Sequence, residues 1–314
     1  MELEEIYSSF ALMREAIFRG RIKSFYFGEH KSRAISQGVD FHEINEWDKN
    51  EPIGRINWSL SIADWPDKAY KVEMIDPRHT PLVLLADISP SVLVQVDSRA
   101  NKTRLLLELL GMLGFSAEYL KDPVGICAFS DKIEFYLPCR LGRGNLFHGI
   151  RLVFDKIQDL KETYGNKKVA AAHSGTDLNQ AVNFIGSRIK RQCSVVILSD
   201  FSDIISGRSE LDFQSLKSLA AKHAWNVIAL FLDDPEELSW GRAGGLVRVK
   251  DAETGELQTV KANKAPEIRQ TFVQKLEELR EKLENIGVSS TVLNHGKHIE
   301  QLIQFLSARA SRYQ

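Results

Sequence analysis

From residue 81 onward the chain alternates short apolar runs with segments of helical periodicity, and this restricts the fold more than any other feature. Residues 81–88 form an apolar run, as a strand buried on both faces requires. Residues 102–120 carry Leu105, Leu106, Leu109, Leu110, Leu113 and Tyr119 at helical spacing. Strands are then expected at 124–129, 132–137 (alternating), 194–198, 226–232 and 288–293. Helices are expected at 146–160, from Asp177 to about 189, at 211–224, at 267–285 closed by Gly287, and at 299–310. Strands separated by helices imply crossovers and a mostly parallel sheet covered on both faces, a doubly wound α/β fold. Residues 247–260 break the alternation and read as two polar strands around a Gly-containing turn, a projecting β-hairpin.

Before residue 80 the texture differs. Residues 3–19 fit one amphipathic helix with Leu3, Ile6, Phe10, Met13 and Ile17 on one face, and β-like pieces at 25–27 and 69–75 follow among Gly and Pro. The expected organisation is therefore an N-terminal helix and small β-containing segment at 1–80, then an α/β domain at 81–314 with a hairpin insertion at about 247–260.

Forty-one Lys and Arg against 42 Asp and Glu give a net charge of −1, which removes a whole-molecule electrostatic case for nucleic acid or an anionic membrane. Cys127, Cys139 and Cys193 are odd in number and form no C-x-x-C pair, so a disulfide framework and a thiolate zinc site are excluded. The acidic N-terminus is unlike a signal peptide, and no apolar stretch approaches the roughly 18–20 residues of a membrane span. A cytoplasmic protein with no membrane span is expected.

In an open α/β sheet, ligands bind beyond the carboxyl ends of strands where the strand order reverses. Three sets of residues fall there: Asp87-Ile-Ser89-Pro-Ser91, Ser199-Asp200-Phe-Ser-Asp203, and Ser174-Gly-Thr176-Asp177 at a helix start. All are hard oxygen donors. Asp87, Ser89 and Ser91 alternate along an extended turn, while Thr176 and Asp200 approach from two other loops. Two carboxylates and three hydroxyls suit Mg²⁺ or Mn²⁺, and so few charges leave the ion able to take a further carboxylate from a partner. Asp203 is expected beside the ligands, as a supporting group or helix cap.

This D-x-S-x-S, the threonine of G-T-D-L and the later strand-ending Asp resemble the metal-ion-dependent adhesion site (MIDAS) of von Willebrand factor A domains over roughly residues 80–240. The resemblance implies Asp87, Ser89, Ser91, Thr176 and Asp200 as ligands, direct or through water. A second set resembles domain of unknown function family fifty-eight: Gly38-Val-Asp-Phe41, then Asn50-Glu-Pro-Ile-Gly-Arg55-Ile-Asn57-Trp58, then Tyr70-Lys71-Val72-Glu73. That family's usual form is G-D-D-P-R-R-I-D-W; here Asn50-Glu51, Gly54 and Asn57 depart from it, while Arg55, Ile56 and Trp58 match. The segment Asp251 to Glu256 is also similar to that family. This resemblance implies a cytoplasmic bacterial protein that works beside a MoxR-type AAA+ ATPase as adaptor or assembly factor.

The expected function is thus a non-enzymatic, metal-dependent protein–protein interaction module whose partner supplies an Asp or Glu to the metal. The alternative is a metal-dependent hydrolase. Haloacid-dehalogenase-type phosphatases also place an Asp after the first strand, but they need an acid two residues on, where this chain has Ser89. No G-x-S-x-G nucleophile elbow is present. Other features read as ordinary structure: 140–144 as a turn, Trp58 and Trp65 as packing anchors, His173 as a solvent-facing loop residue. The Arg- and Lys-rich run at 14–33 reads either as a solvated face or as a seat for an acidic partner.

Overall fold

The computed structural model describes residues 40–48, 51–75, 80–93, 102–165, 176–190, 192–221, 226–235, 237, 245–250 and 257–312. The expected helix at 3–19, the piece at 25–27, the basic run, His173, Ser174, Gly175 and the turn at 251–256 lie outside these residues. Contacts divide the described residues into two units, one before Thr80 and one from Thr80 on.

In the first unit, β1 (Asp40–Glu46) pairs antiparallel with β2 (Tyr70–Ile75). A short helix, α1 (Trp58–Ser61), lies between them; its N-cap Asn57 accepts the Leu60 N–H at 3.3 Å. Ile56 is buried, whereas Trp58 and Trp65 pack edge to face with centroids 5.0 Å apart and each stays 49% exposed. They anchor one another and not a core. Lys71 is tied to Glu51 at 2.6 Å.

The second unit is α/β. Its six-stranded sheet contains β3 (Leu82–Asp87), β4 (Val124–Phe129), β5 (Ile133–Arg140), β6 (Ser194–Ser199), β7 (Asn226–Asp233) and β10 (Ser289–Asn294), in the order β10-β7-β6-β3-β4-β5. All neighbours are parallel except β4 and β5. The expected strand at 132–137 is thus an antiparallel edge that runs on to Arg140. Its Pro138 sits near a register shift, a place where a missing N–H is tolerated.

Helices cover both faces because alternate residues of each strand point to opposite sides. Leu82, Leu84 and Ala86 pack with α3 (Lys102–Tyr119), α4 (Arg143–Gly165) and α9 (His298–Arg312). Val83 and Leu85 pack with α5 (Leu178–Arg188), α7 (Phe213–Ala221) and α8 (Ala265–Asn285). Each fully buried Leu, Ile or Val contributes roughly 1.5–3 kcal/mol, so the sheet positions its strand ends firmly. Helix α3 is buried nearly all round, including Lys102 and Glu108. Gly142, at φ 105°, turns the chain just before α4, so the helix starts at Arg143 rather than 146. Two short helices, α2 (Pro90–Leu93) and α6 (Ser202–Ser206), follow β3 and β6. The hairpin forms a separate two-stranded sheet, β8 (Leu246–Lys250) with β9 (Leu257–Lys261).

Candidate functional site

The order of the sheet reverses between β3 and β6: from β3 the chain moves outward to β4 and β5, then returns to β6 on the other side. The crevice beyond their carboxyl ends is where ligands bind in open α/β sheets. Asp87 ends β3 and Asp200 follows Ser199, the last residue of β6. Both carboxylates are buried.

Asp87 Oδ1 accepts the Ser89 N–H at 2.9 Å, the Asx-type bond that makes the D-x-S turn. Its Oδ2 accepts from the Ser199 hydroxyl at 2.5 Å. Ser89 Oγ lies 3.1 Å from Ser91 Oγ, and Ser91 Oγ donates to Asp200 Oδ1 at 3.3 Å. Four of the five expected ligands therefore form one contiguous oxygen cluster, built by β3, the start of α2 and the end of β6.

The fifth, Thr176, is held through its backbone by Asp203 and not by a bond to the other four. Its N–H donates to Asp203 Oδ2 at 2.6 Å, while the next N–H, that of Asp177, donates to the Ser130 carbonyl at 2.9 Å. Asp177 then caps α5 by accepting the Gln180 N–H at 2.9 Å. Thr176 is half-buried. Asp203 is the supporting group: it lies in the first turn of α6, and its Oδ1 stands 2.8 Å from Arg208 Nε. It is not the helix cap, a place taken by Phe201 in the left-handed region at φ 53°. That costly conformation is held by the Ser199 hydroxyl, which accepts the Phe201 N–H at 2.9 Å, and by stacking of Phe201 on Phe231. It brings the Ser202 N–H back onto Asp200 Oδ1 at 3.0 Å.

Three residues of the site lie outside the five expected ligands, although Ser199 stands in the expected strand-end set with Asp200. Ser199 orients Asp87. Lys102, at the start of α3, places its ammonium 2.8 Å from Asp200 Oδ2, and Glu237 Oε2 lies 2.6 Å from the same nitrogen. A Lys in the first turn of a helix opposes the helix dipole and is normally left to solvent. Here it is buried, and the two acids compensate its charge.

Electrostatics follow from burial. Asp87 is pushed up to about 7, first by loss of solvent and then by the charge of Asp200; its bonds from Ser199 and Ser89 act the other way. Burial also pushes Asp200 upward, but the Lys102 ammonium overrides it and holds Asp200 below the usual carboxylate range. Lys102 is raised despite its burial because Asp200 and Glu237 favour its charged form.

Among the described residues no three His, Cys, Asp or Glu side chains gather as a metal-ligand group, so an ion at this site would be held by two carboxylates supplemented by hydroxyls. The donors present fit a hard divalent cation. They are all oxygens, the donor type that such an ion takes.

Fold and cluster together define an α/β protein with a buried, acidic and hydroxyl-rich cluster at the reversal of its sheet. The chain belongs to the family described as protein of unknown function DUF58, whose model matches residues 46–282. Among solved structures it is similar to an uncharacterized membrane spanning protein from Vibrio fischeri, at 11% identity over 72% of this chain and 96% of that one, with a TM-score of 0.24. No curated protein matches the chain. Among the described residues of this chain, no helix is long and apolar enough to cross a membrane.

Proposed function

We propose that the chain is a non-enzymatic, metal-dependent interaction module with a von Willebrand factor A-like, doubly wound domain. In this reading Asp87, Ser89, Ser91, Thr176 and Asp200 form a MIDAS-type site for Mg²⁺ or Mn²⁺. The observation that carries it is the single hydrogen-bonded run from Asp87 through Ser89 and Ser91 to Asp200 at the reversal of the sheet.

The ion would supply a Lewis-acidic point at which a carboxylate from another protein is captured. The chain's own part is to hold the donors. Ser199 and the Ser89 N–H fix the two oxygens of Asp87, the Ser202 N–H fixes Asp200, and Asp203 fixes the backbone of Thr176. Two carboxylates neutralise a divalent ion, and a third from outside adds both charge and coordination. The resemblance to family fifty-eight suggests a MoxR-type AAA+ ATPase as partner and a cytoplasmic location.

Pull-down from native lysate, with and without EDTA, tests this directly. The expected result is capture of a MoxR-type ATPase or its client that is lost with EDTA and with Asp87→Ala. Capture equal in all three conditions would remove the metal as recognition element. Hydrolysis of a generic phosphate or acyl ester, abolished by Asp87→Ala, would instead establish the hydrolase alternative.

A further inference from the structure

Lys102 sits beside the oxygen cluster, on an acid that a divalent ion would also use. Its ammonium caps Asp200 Oδ2 at 2.8 Å, while the other oxygen, Oδ1, faces Ser91. Both groups are almost fully buried, with side-chain exposures of 5% for Lys102 and 2% for Asp200. A buried carboxylate without a cation is strongly disfavoured, so this contact is what allows Asp200 to remain charged in the absence of metal. The same contact opposes the metal. An ammonium and a divalent ion on one carboxylate repel each other, and little solvent is present to screen them.

The second partner of Lys102 gives the ammonium somewhere to go. Glu237, just beyond β7, reaches the same nitrogen at 2.6 Å and is the more open of the two acids, with 34% of its side chain exposed. The stem of Lys102 is anchored by a helix buried nearly all round, so only the end of its side chain is free to shift between the two carboxylates.

We propose that Lys102 is the resident counter-cation of this site and that Glu237 is its alternative acceptor: a divalent ion binds as the ammonium leaves Asp200 and stays on Glu237. This rests on the metal-dependent reading given above and adds its regulation. Asp200 is charge-compensated when metal is absent, and the site's affinity for metal is set by a residue that is not a ligand.

Mn²⁺ titration of the full chain tests it, with free Mn²⁺ followed by electron paramagnetic resonance. Lys102→Met removes the competing charge and should tighten Mn²⁺ at least about tenfold, with a larger Mn²⁺-induced rise in melting temperature than in the native chain. Lys102→Gln, which retains a hydrogen-bond donor to Asp200, should shift affinity the same way and carries the test if the Met variant does not fold. Native-like or weaker affinity in the folded variants overturns the proposal while leaving the metal site standing. Absence of binding in native and variant chains alike overturns both. Should neither variant fold, crystals of the native chain grown with Mn²⁺ decide: Lys102 on Glu237 and off Asp200 supports the proposal, and Lys102 still on Asp200 beside a bound ion refutes it.

Discussion

Asp87 is held in place by two donors before any ligand arrives, and the same economy recurs at Thr176. Asp203 accepts the Thr176 N–H and leans on Arg208, so it positions through the backbone one of the five residues proposed as ligands. Supporting groups of this kind typically change metal affinity by about 10–100-fold when removed. Asp203→Ala is expected to weaken Mn²⁺ at least about tenfold while leaving far-UV circular dichroism unchanged; unchanged affinity would mean that Thr176 is not a ligand. At this scale the sequence showed which residues gather beyond β3 and β6, because the D-x-S turn closes on itself. It hid Lys102 and Glu237, since which acid meets a buried lysine depends on contacts between residues far apart in the chain.

Among the elements, β4 and β5 meet so closely at Gly125 that a Cβ there would lie 2.9 Å from both the Cys139 N and the Leu137 O. These are backbone atoms and cannot swing aside. Gly125→Ala is expected to destabilise the protein by about 1–3 kcal/mol, measured as a lower urea midpoint. A second joint is the packing of α9 on α3, where His298 Nε2 lies 3.2 Å from Glu108 Oε2 beside His295 and Arg104. Burial pushes His298 below its ordinary value of 6.5; Glu108 opposes that shift, while His295 and Arg104 add to it. A folded-state value below the unfolded one means that the unfolded chain takes up the proton more readily. Stability from this group is therefore present above about 6.5 and lost as pH falls. Urea melts from pH 7.5 to 5.5 should show a steeper acid loss in the native chain than in His298→Gln; parallel slopes would contradict it. Strands and long helices were legible in the sequence because buried strands are uniformly apolar and helices keep their period. The strand Asp40–Glu46 and the short helices after β3 and β6 were not, since they are set by caps and by the sheet they end on rather than by a repeating pattern.

For the molecule as a whole, a sheet that reverses its order beside β3 places two acids from residues 87 and 200 in a single buried cluster. The alternation of strands and helices announced an α/β unit; the antiparallel edge at β5 depends on a short turn and a register shift that periodicity does not encode. The central claim is that this cluster holds a divalent ion. Mn²⁺ titration of the native chain and of Asp87→Ala, read as free Mn²⁺ by electron paramagnetic resonance, tests it most directly. The account predicts one bound equivalent per native chain and none in the variant at the same concentrations. No binding at millimolar Mn²⁺, or equal binding by both chains, would contradict it.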